Sequence, residues 1–327
     1  MFDFITIGGA TRDIFFKYDN LQKRKDKKSI SGSFLMVPYG EKMVSKKVFY
    51  AYGGGAFNAS TCIARLGGRV AAVCNIGSEG TGSLVFRALK DEGVNVSLIS
   101  RDKNNHTGLS IFILGKDNEH SGFLERGAND FLKIEKISYL KKTRWIYLSS
   151  LTGESSDLIE KVFNFSAKKN IKIAFNPGSE QLNRGAKYLS GYIKKTEILI
   201  LNMDEAKALV FSGGVKKIKN RRELLFELEK LGAKITVVTD GQDGCHLIID
   251  KKIYSQAAIP SPVFDTTGAG DSFGATFAYA ISRDFGVKKS LKMAAINSSS
   301  VVSYMGAQDG LLKLNQIRRS KWLSEKI

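Results

Sequence analysis

Asp265-Thr266-Thr267-Gly268-Ala269-Gly270-Asp271-Ser272-Phe273 is the stretch on which the reading of this chain turns. It sets a Gly-Ala-Gly turn between two carboxylates, and behind it Ser272 to Ile281 is a small-residue, apolar run that reads as a helix. A helix beginning here turns unpaired backbone N–H groups and the positive end of its dipole toward Gly268–Asp271. That makes an anion site, and Asp271 stands inside it. A structural protein gains nothing from such a carboxylate. An enzyme that deprotonates a hydroxyl beside a phosphoryl group needs one.

On the amino-terminal side of this motif, short β-rich runs alternate with amphipathic stretches. Phe4–Ile7, Val70–Ile76, Trp145–Leu148, Lys172–Phe175, Ile198–Leu201 and Ile235–Thr239 are expected strands. Ala56–Leu66, Ser83–Asp91, Ser156–Lys169, Asp204–Phe211 and Arg221–Leu231 are expected helices. The alternation predicts an α/β protein with a mainly parallel sheet, helices on both faces and ligands beyond the carboxyl ends of the strands. Residues 12–50 and 106–127 break the pattern. Both read as antiparallel hairpins that pair into a separate small sheet, a lid over a cleft where water must be excluded. Residues 1–11, 51–105 and 128–327 then form the core.

Four further segments carry candidate chemistry. Gly53-Gly54-Gly55-Ala56-Phe57-Asn58 puts three glycines before a helix, which lets backbone approach a ligand, and Asn58 adds a donor and an acceptor. It is neither a Walker A loop nor, with Gly8-Gly9-Ala10, a dinucleotide fingerprint. Asp13 follows the first strand and is a candidate for holding sugar hydroxyls. Asn202-Met203-Asp204-Glu205 reads either as a helix capping box or as a pair facing hydrated Mg²⁺ and phosphates. Thr239-Asp240-Gly241-Gln242-Asp243-Gly244 reads either as a plain hairpin turn or as a loop touching nucleotide.

Bulk composition excludes several classes. The 327 residues are 43% hydrophobic and 25% charged, ordinary for a folded domain with a sizeable core. Cys62, Cys74 and Cys245 have no metal-type spacing and are expected to be reduced and buried; His106, His120 and His246 offer no zinc pattern. The net charge of +18 would suit a nucleic-acid binder, but the lysines are scattered as pairs, from Lys27-Lys28 to Lys288-Lys289, with no basic tail or stripe. No nucleic-acid partner is expected. No apolar run is long enough to span a membrane, no signal peptide is apparent, and the cytoplasm is the expected location.

Together the early Gly-Gly-x-x-x-Asn motif and the late Asp-Thr-x-x-Ala-Gly-Asp motif resemble the two signatures of the ribokinase (PfkB) family of carbohydrate and nucleoside kinases. The resemblance covers essentially the whole chain. It implies a ribokinase-like three-layer α/β/α sandwich with a small β-sheet lid, and ATP-dependent phosphorylation of a hydroxymethyl group. Asp271 would be the base, and backbone N–H groups of Gly268, Ala269 and Gly270 the hole for the phosphoryl charge. Asp13, Gly53, Gly54 and Asn58 would hold the sugar, with Arg126 reaching it from the lid edge. Asn202 and Glu205 would organise Mg²⁺ and phosphate, while Thr239, Gly241 and Gly244 would contact ATP. The turn Met305-Gly306-Ala307-Gln308 matches the adenine-side wall, with Asn297 facing the base. Asp265 and the Thr267 carbonyl match a K⁺ site, with further carbonyls between Val301 and Gly310. A homodimer through the lid is expected.

The acceptor stays open. Gly55-Ala56-Phe57 replaces the Lys-Gly-Ala of ribokinase-like chains. An aromatic wall of Phe15, Phe16 and Phe123 would suit a nucleoside base. A sugar kinase, a nucleoside kinase and a non-catalytic sensor on the same fold are the three readings, and the intact Asp271 with its anion hole argues against the third.

Overall fold

The apolar runs pair into one eight-stranded sheet. In spatial order its strands are Lys252–Gln256, Cys245–Ile249, Ile235–Thr239, Ile198–Asn202, Lys172–Phe175, Thr143–Leu148, Phe2–Ile7 and Val70–Val73. Neighbours are parallel except at one edge, where the last two strands of the chain add as an antiparallel hairpin. The computed structural model describes residues 1–26, 32–115 and 120–324; the pair Lys27-Lys28 lies outside them.

Alternation along the strands divides the core into two layers. Phe4 and Tyr147 face helices Gly55–Arg65, Ala269–Ser282 and Val287–Val301, packing with Phe57, Ile63 and Phe277. Ile5, Ile7 and Leu148 face helices Leu158–Lys169, Met203–Ser212 and Arg221–Glu229, packing with Val162, Phe163 and Leu209. The result is three layers, α/β/α. Small residues in Ala269–Ser282 let it lie close on the sheet. A Cβ on Gly274 would come within 2.5 Å of the Tyr147 hydroxyl oxygen.

A separate four-stranded sheet has the order His120–Glu125, Gly108–Leu114, Thr11–Lys17, Lys47–Gly53. Strands from both irregular segments meet in it. The seam between the segments is parallel, Asp13 beside Ser110, and differs from the expected all-antiparallel arrangement. Pairing across a seam joins residues nearly a hundred positions apart, which local patterns do not encode. The strand expected over Met43–Tyr50 is shifted to Lys47–Gly53, so it ends on the glycine turn. Val70–Ile76 breaks at Cys74 into two strands that belong to different sheets. Helices Ser179–Asn183 and Gly185–Ile193, not expected from the sequence, bury Leu182, Leu189 and Ile193 against the core.

Candidate active site

The site is built where strand ends, the glycine turns and the start of helix Ala269–Ser282 converge. Gly268 caps that helix with φ 75°, the left-handed region that glycine tolerates. A Cβ there would lie 2.2 Å from that of Ala307, so backbone strain and crowding both demand glycine. The Ala269 amide turns back to the Thr266 carbonyl at 3.2 Å, and Ser272 donates to Gly268 at 2.9 Å. Helix geometry leaves the Gly270 and Asp271 amides without an intrahelical acceptor. Of the expected Gly268–Gly270 set, the Ala269 amide is taken up in closing the turn.

Asp265 fixes the loop in front of this helix. It is buried; its Oδ1 accepts from the Thr267 amide (2.9 Å) and hydroxyl (2.7 Å), and its Oδ2 from the Gly306 amide (2.8 Å). Asp271 is held differently. Its Oδ2 accepts from Asn58 Nδ2 at 2.8 Å, and Asn58 Oδ1 in turn accepts from the Gln308 side chain. Arg65 pins the Gln308 carbonyl at 2.6 Å while pairing through two nitrogens with Glu92. Half-buried by area but closely ringed by protein, Asp271 has its pKa raised above the ordinary 3.8 by desolvation, with the Asn58 hydrogen bond working the other way. A carboxylate less acidic than usual is a better proton acceptor when ionised.

On the facing wall, Asp13 lies in strand Thr11–Lys17, rather than in a loop, and its carboxyl is buried. Thr11 Oγ1 donates to it at 2.9 Å. Burial pushes its pKa above 3.8, and hydrogen bonds from Ser110 and Thr11 offset part of that. Gly53 is glycine because a Cβ would fall 2.3 Å from Asp13 Oδ2. At Gly54, φ 90° and a Cβ position 2.4 Å from the Gly9 carbonyl oxygen demand the same. A Cβ on Gly55 would sit 2.4 Å from Ser149 Oγ and 3.7 Å from Asp271 Oδ1. Gly55, Ser149 and Asp271 thus surround one point on the cleft floor, and Ser149 leaves no room for a side chain at position 55.

Beyond the glycine turn opens a cavity of about 510 Å³. Thr239, Gly241 and Gly244 line one side and Ala269 and Gly270 another, with Ser298 and Ser299 also in its wall. Arg221 braces the 239–244 loop through Asp240 (2.7 Å) and Asp243 (3.2 Å). Asn297 does not face this cavity. It is fully buried, donates to Thr276 at 2.8 Å and accepts from the Leu312 amide at 2.9 Å, so Ser298 and Ser299 hold the positions expected of it. A rotation of about 100° per residue, invisible without the helix axis, decides between them. Asn202 and Glu205 form the capping box: Asn202 Oδ1 accepts from the Glu205 amide and Glu205 Oε2 from the Asn202 amide, each at 2.8 Å. Burial raises the Glu205 pKa, and Asp204 and Asp271 add to the push.

The family model for pfkB family carbohydrate kinases matches residues 26–314. The chain belongs to the pfkB family of carbohydrate kinases. A ribokinase of Haemophilus influenzae is 24% identical over 85% of this chain and 90% of its own length. A 5-dehydro-2-deoxygluconokinase of Clostridium tetani is 24% identical over 82% and 83%. Arabidopsis thaliana ribokinase, solved with ribose and ATP, superposes with a TM-score of 0.82 at 23% identity over 99% of both chains. A Burkholderia thailandensis nucleoside kinase, solved with inosine, gives 0.78 at 15% over 96% of both. The three-layer sandwich with its small sheet is the ribokinase fold, and the protein is a phosphotransferase acting on an alcohol group.

Several residues of the kinase were not singled out for the roles they take. Gln308, read as adenine wall, instead buttresses Asn58. Asn58, expected to hold the sugar, donates to Asp271. Asn129 grips the Ala10 backbone through both its amide atoms (2.9 and 3.1 Å), tying the turn after the first strand to the end of the small sheet. No local signal marks such long-range clamps. Arg126 is exposed and has no side-chain partner among the described residues. The expected aromatic wall does not assemble. Phe15 is buried on the Asp13 face, stacked on Phe112 at 4.7 Å, whereas Phe16 and Phe123 lie on the opposite face. No helix is long and apolar enough to cross a membrane among the described residues.

Proposed function

We propose that the protein transfers the γ-phosphoryl group of ATP to a hydroxymethyl group of a sugar, with Asp271 as the base. The observation that carries this reading is the Asn58-held Asp271 carboxylate beside the unpaired amides at the helix start. The acceptor oxygen attacks the γ-phosphorus, Asp271 takes the hydroxyl proton, the bond to the β-phosphate oxygen breaks, and ADP leaves. The Gly270 and Asp271 amides face the charge on the transferring group. The cavity suits ATP, since Thr239, Gly241, Gly244, Ser298 and Ser299 offer backbone and hydroxyl donors beside the apolar walls of Ile259, Val263, Phe273 and Val302. Asp13, Gly53 and Gly54 suit the sugar: a polar, tightly confined wall rather than an aromatic slot.

The donor set fits Mg²⁺ in hydrated form. Asp204 and Asp271 both repel the Glu205 carboxylate, which a divalent ion relieves. Yet no group of three or more His, Cys, Asp or Glu is placed to hold a metal among the described residues. An ion resting on phosphates and waters, with Glu205 oriented toward it, meets both facts. Bound Mg²⁺ supplies charge neutralisation on the phosphates. For K⁺ the fit is weaker, because Asp265 already accepts three donors; carbonyls of Thr267 and the 301–310 stretch would supply the ligands. Stimulation by K⁺ over tetramethylammonium checks that.

An ATP-consumption screen over ribose, fructose, 2-keto-3-deoxygluconate, adenosine, inosine and cytidine tests the assignment. Turnover is expected with a sugar. Turnover with nucleosides alone would make it a nucleoside kinase, and binding without turnover across the panel would make it a sensor. Asp271→Asn is expected to lower kcat about 10²–10⁴-fold. Activity within about tenfold of wild type would overturn the base assignment.

A further inference from the structure

The kinase carries a second concave site at the other end of its sheet. A cavity of about 460 Å³ opens where strands Phe2–Ile7, Thr143–Leu148 and Lys172–Phe175 begin and where helix Ala269–Ser282 ends. Catalysis is placed at the opposite end of the same strands and at the start of the same helix. Lys141, Arg144, Lys169, Lys172 and Arg283 line the cavity, against the carboxylates of Asp3 and Asp284.

The cations are held ready for a ligand. Asp3, only 5% exposed, is shared by three guanidinium groups: Arg283 at 3.0 Å, Arg144 at 3.4 Å and Arg69 at 3.6 Å. The Arg69 amide also donates to it at 2.9 Å. One carboxylate cannot neutralise three cations, so it fixes Arg144 and Arg283 in place while leaving their charge in surplus. Lys172 lies over Trp145 at 5.2 Å and shares Glu197 with Lys234. Lys141 and Lys169 have no carboxylate partner among the described residues. The negative end of the helix dipole is about half a charge and is outweighed by these side chains.

We propose that this cavity binds a small, multiply charged phosphate compound, at a site separate from the substrate cleft. Guanidinium forks match phosphate oxygens, and lysines add point charge. The volume suits a metabolite-sized anion rather than a polymer. Trp145, at the cavity wall, is a built-in reporter.

The test uses the full chain with Trp322→Phe, which leaves Trp145 as the one remaining tryptophan. Inorganic pyrophosphate is titrated at constant ionic strength, with chloride as the control anion. A saturable change in Trp145 emission is expected, unaltered by Asp271→Asn. Binding should weaken at least tenfold in Arg144→Ala/Arg283→Ala. Should that pair unfold, Lys141→Ala/Lys169→Ala, two exposed lysines outside any ion pair among the described residues, should weaken it at least threefold with an unchanged melting temperature. A non-saturable response, or cavity variants that titrate like the parent, overturns the proposal.

Discussion

At the scale of single residues, the burial that would suit Asp271 to the proposed role of base also costs stability. Its folded pKa is raised, so its favourable contribution exists below the unfolded value and is lost as pH rises through the folded one. At pH 7 the ionised group therefore costs stability, and Asp271→Asn is expected to melt at the same temperature as wild type or higher. Calorimetry checks this; a lower midpoint would show that the carboxylate braces the fold. Asn58 acts on the same group in the opposite sense, since its N–H favours the ionised form. Removing it in Asn58→Ala raises the Asp271 pKa further. The acid limb of kcat/KM, expected in the wild type above the ordinary carboxylate range, is expected to move to still higher pH. An unmoved limb would detach Asn58 from the base. Gly268 shows the other residue-scale constraint, a position where φ 75° and the Ala307 side chain exclude every other residue.

At the scale of elements, the Asn202–Glu205 segment has a capping role and a proposed Mg²⁺ role, which different substitutions separate. Its reciprocal hydrogen bonds close the first turn of helix Met203–Ser212. Asn202→Ala is expected to lose about 1 kcal/mol of stability, measured by denaturant unfolding. Glu205→Gln keeps a side-chain acceptor for the Asn202 amide but drops the charge proposed to face Mg²⁺. It should unfold within about 0.5 kcal/mol of wild type while its Mg²⁺-dependent activity falls at least tenfold. Equal losses of stability and activity in the two variants would reduce the segment to a cap. The small sheet illustrates a different economy of elements. Its alternation places Asp13 on one face and Ile14 and Phe16 on the other, so a single strand supplies both a site residue and an apolar outer surface.

At the scale of the whole molecule, we propose that a second copy docks on that outer surface. Tyr50, Ile14, Ile111 and Phe123 lie in one row across the small sheet, and Tyr50 and Phe123 are 64% and 70% exposed. Exposed aromatics in a row mark an association face. Wild type is expected to be a dimer of 36.0 kDa chains in light scattering, and Tyr50→Glu/Phe123→Glu a monomer. A monomeric wild type would refute the dimer. The sequence by itself determined the alternating α/β plan, the glycine turn with its aspartate, and the family, because each rests on local periodicity or on contiguous residues. Only the tertiary structure decided that Asn297 is a core residue and Ser298 the cavity wall, since that depends on how a helix is rotated against its neighbours. It alone joined Gln308, Asn58 and Asp271 into one support across 250 residues. It alone brought Asp3, Arg144 and Arg283 to one cavity. Hydrogen bonds and charge clusters of that reach form where the packed layers place their partners, and nothing in the order of the chain marks them beforehand.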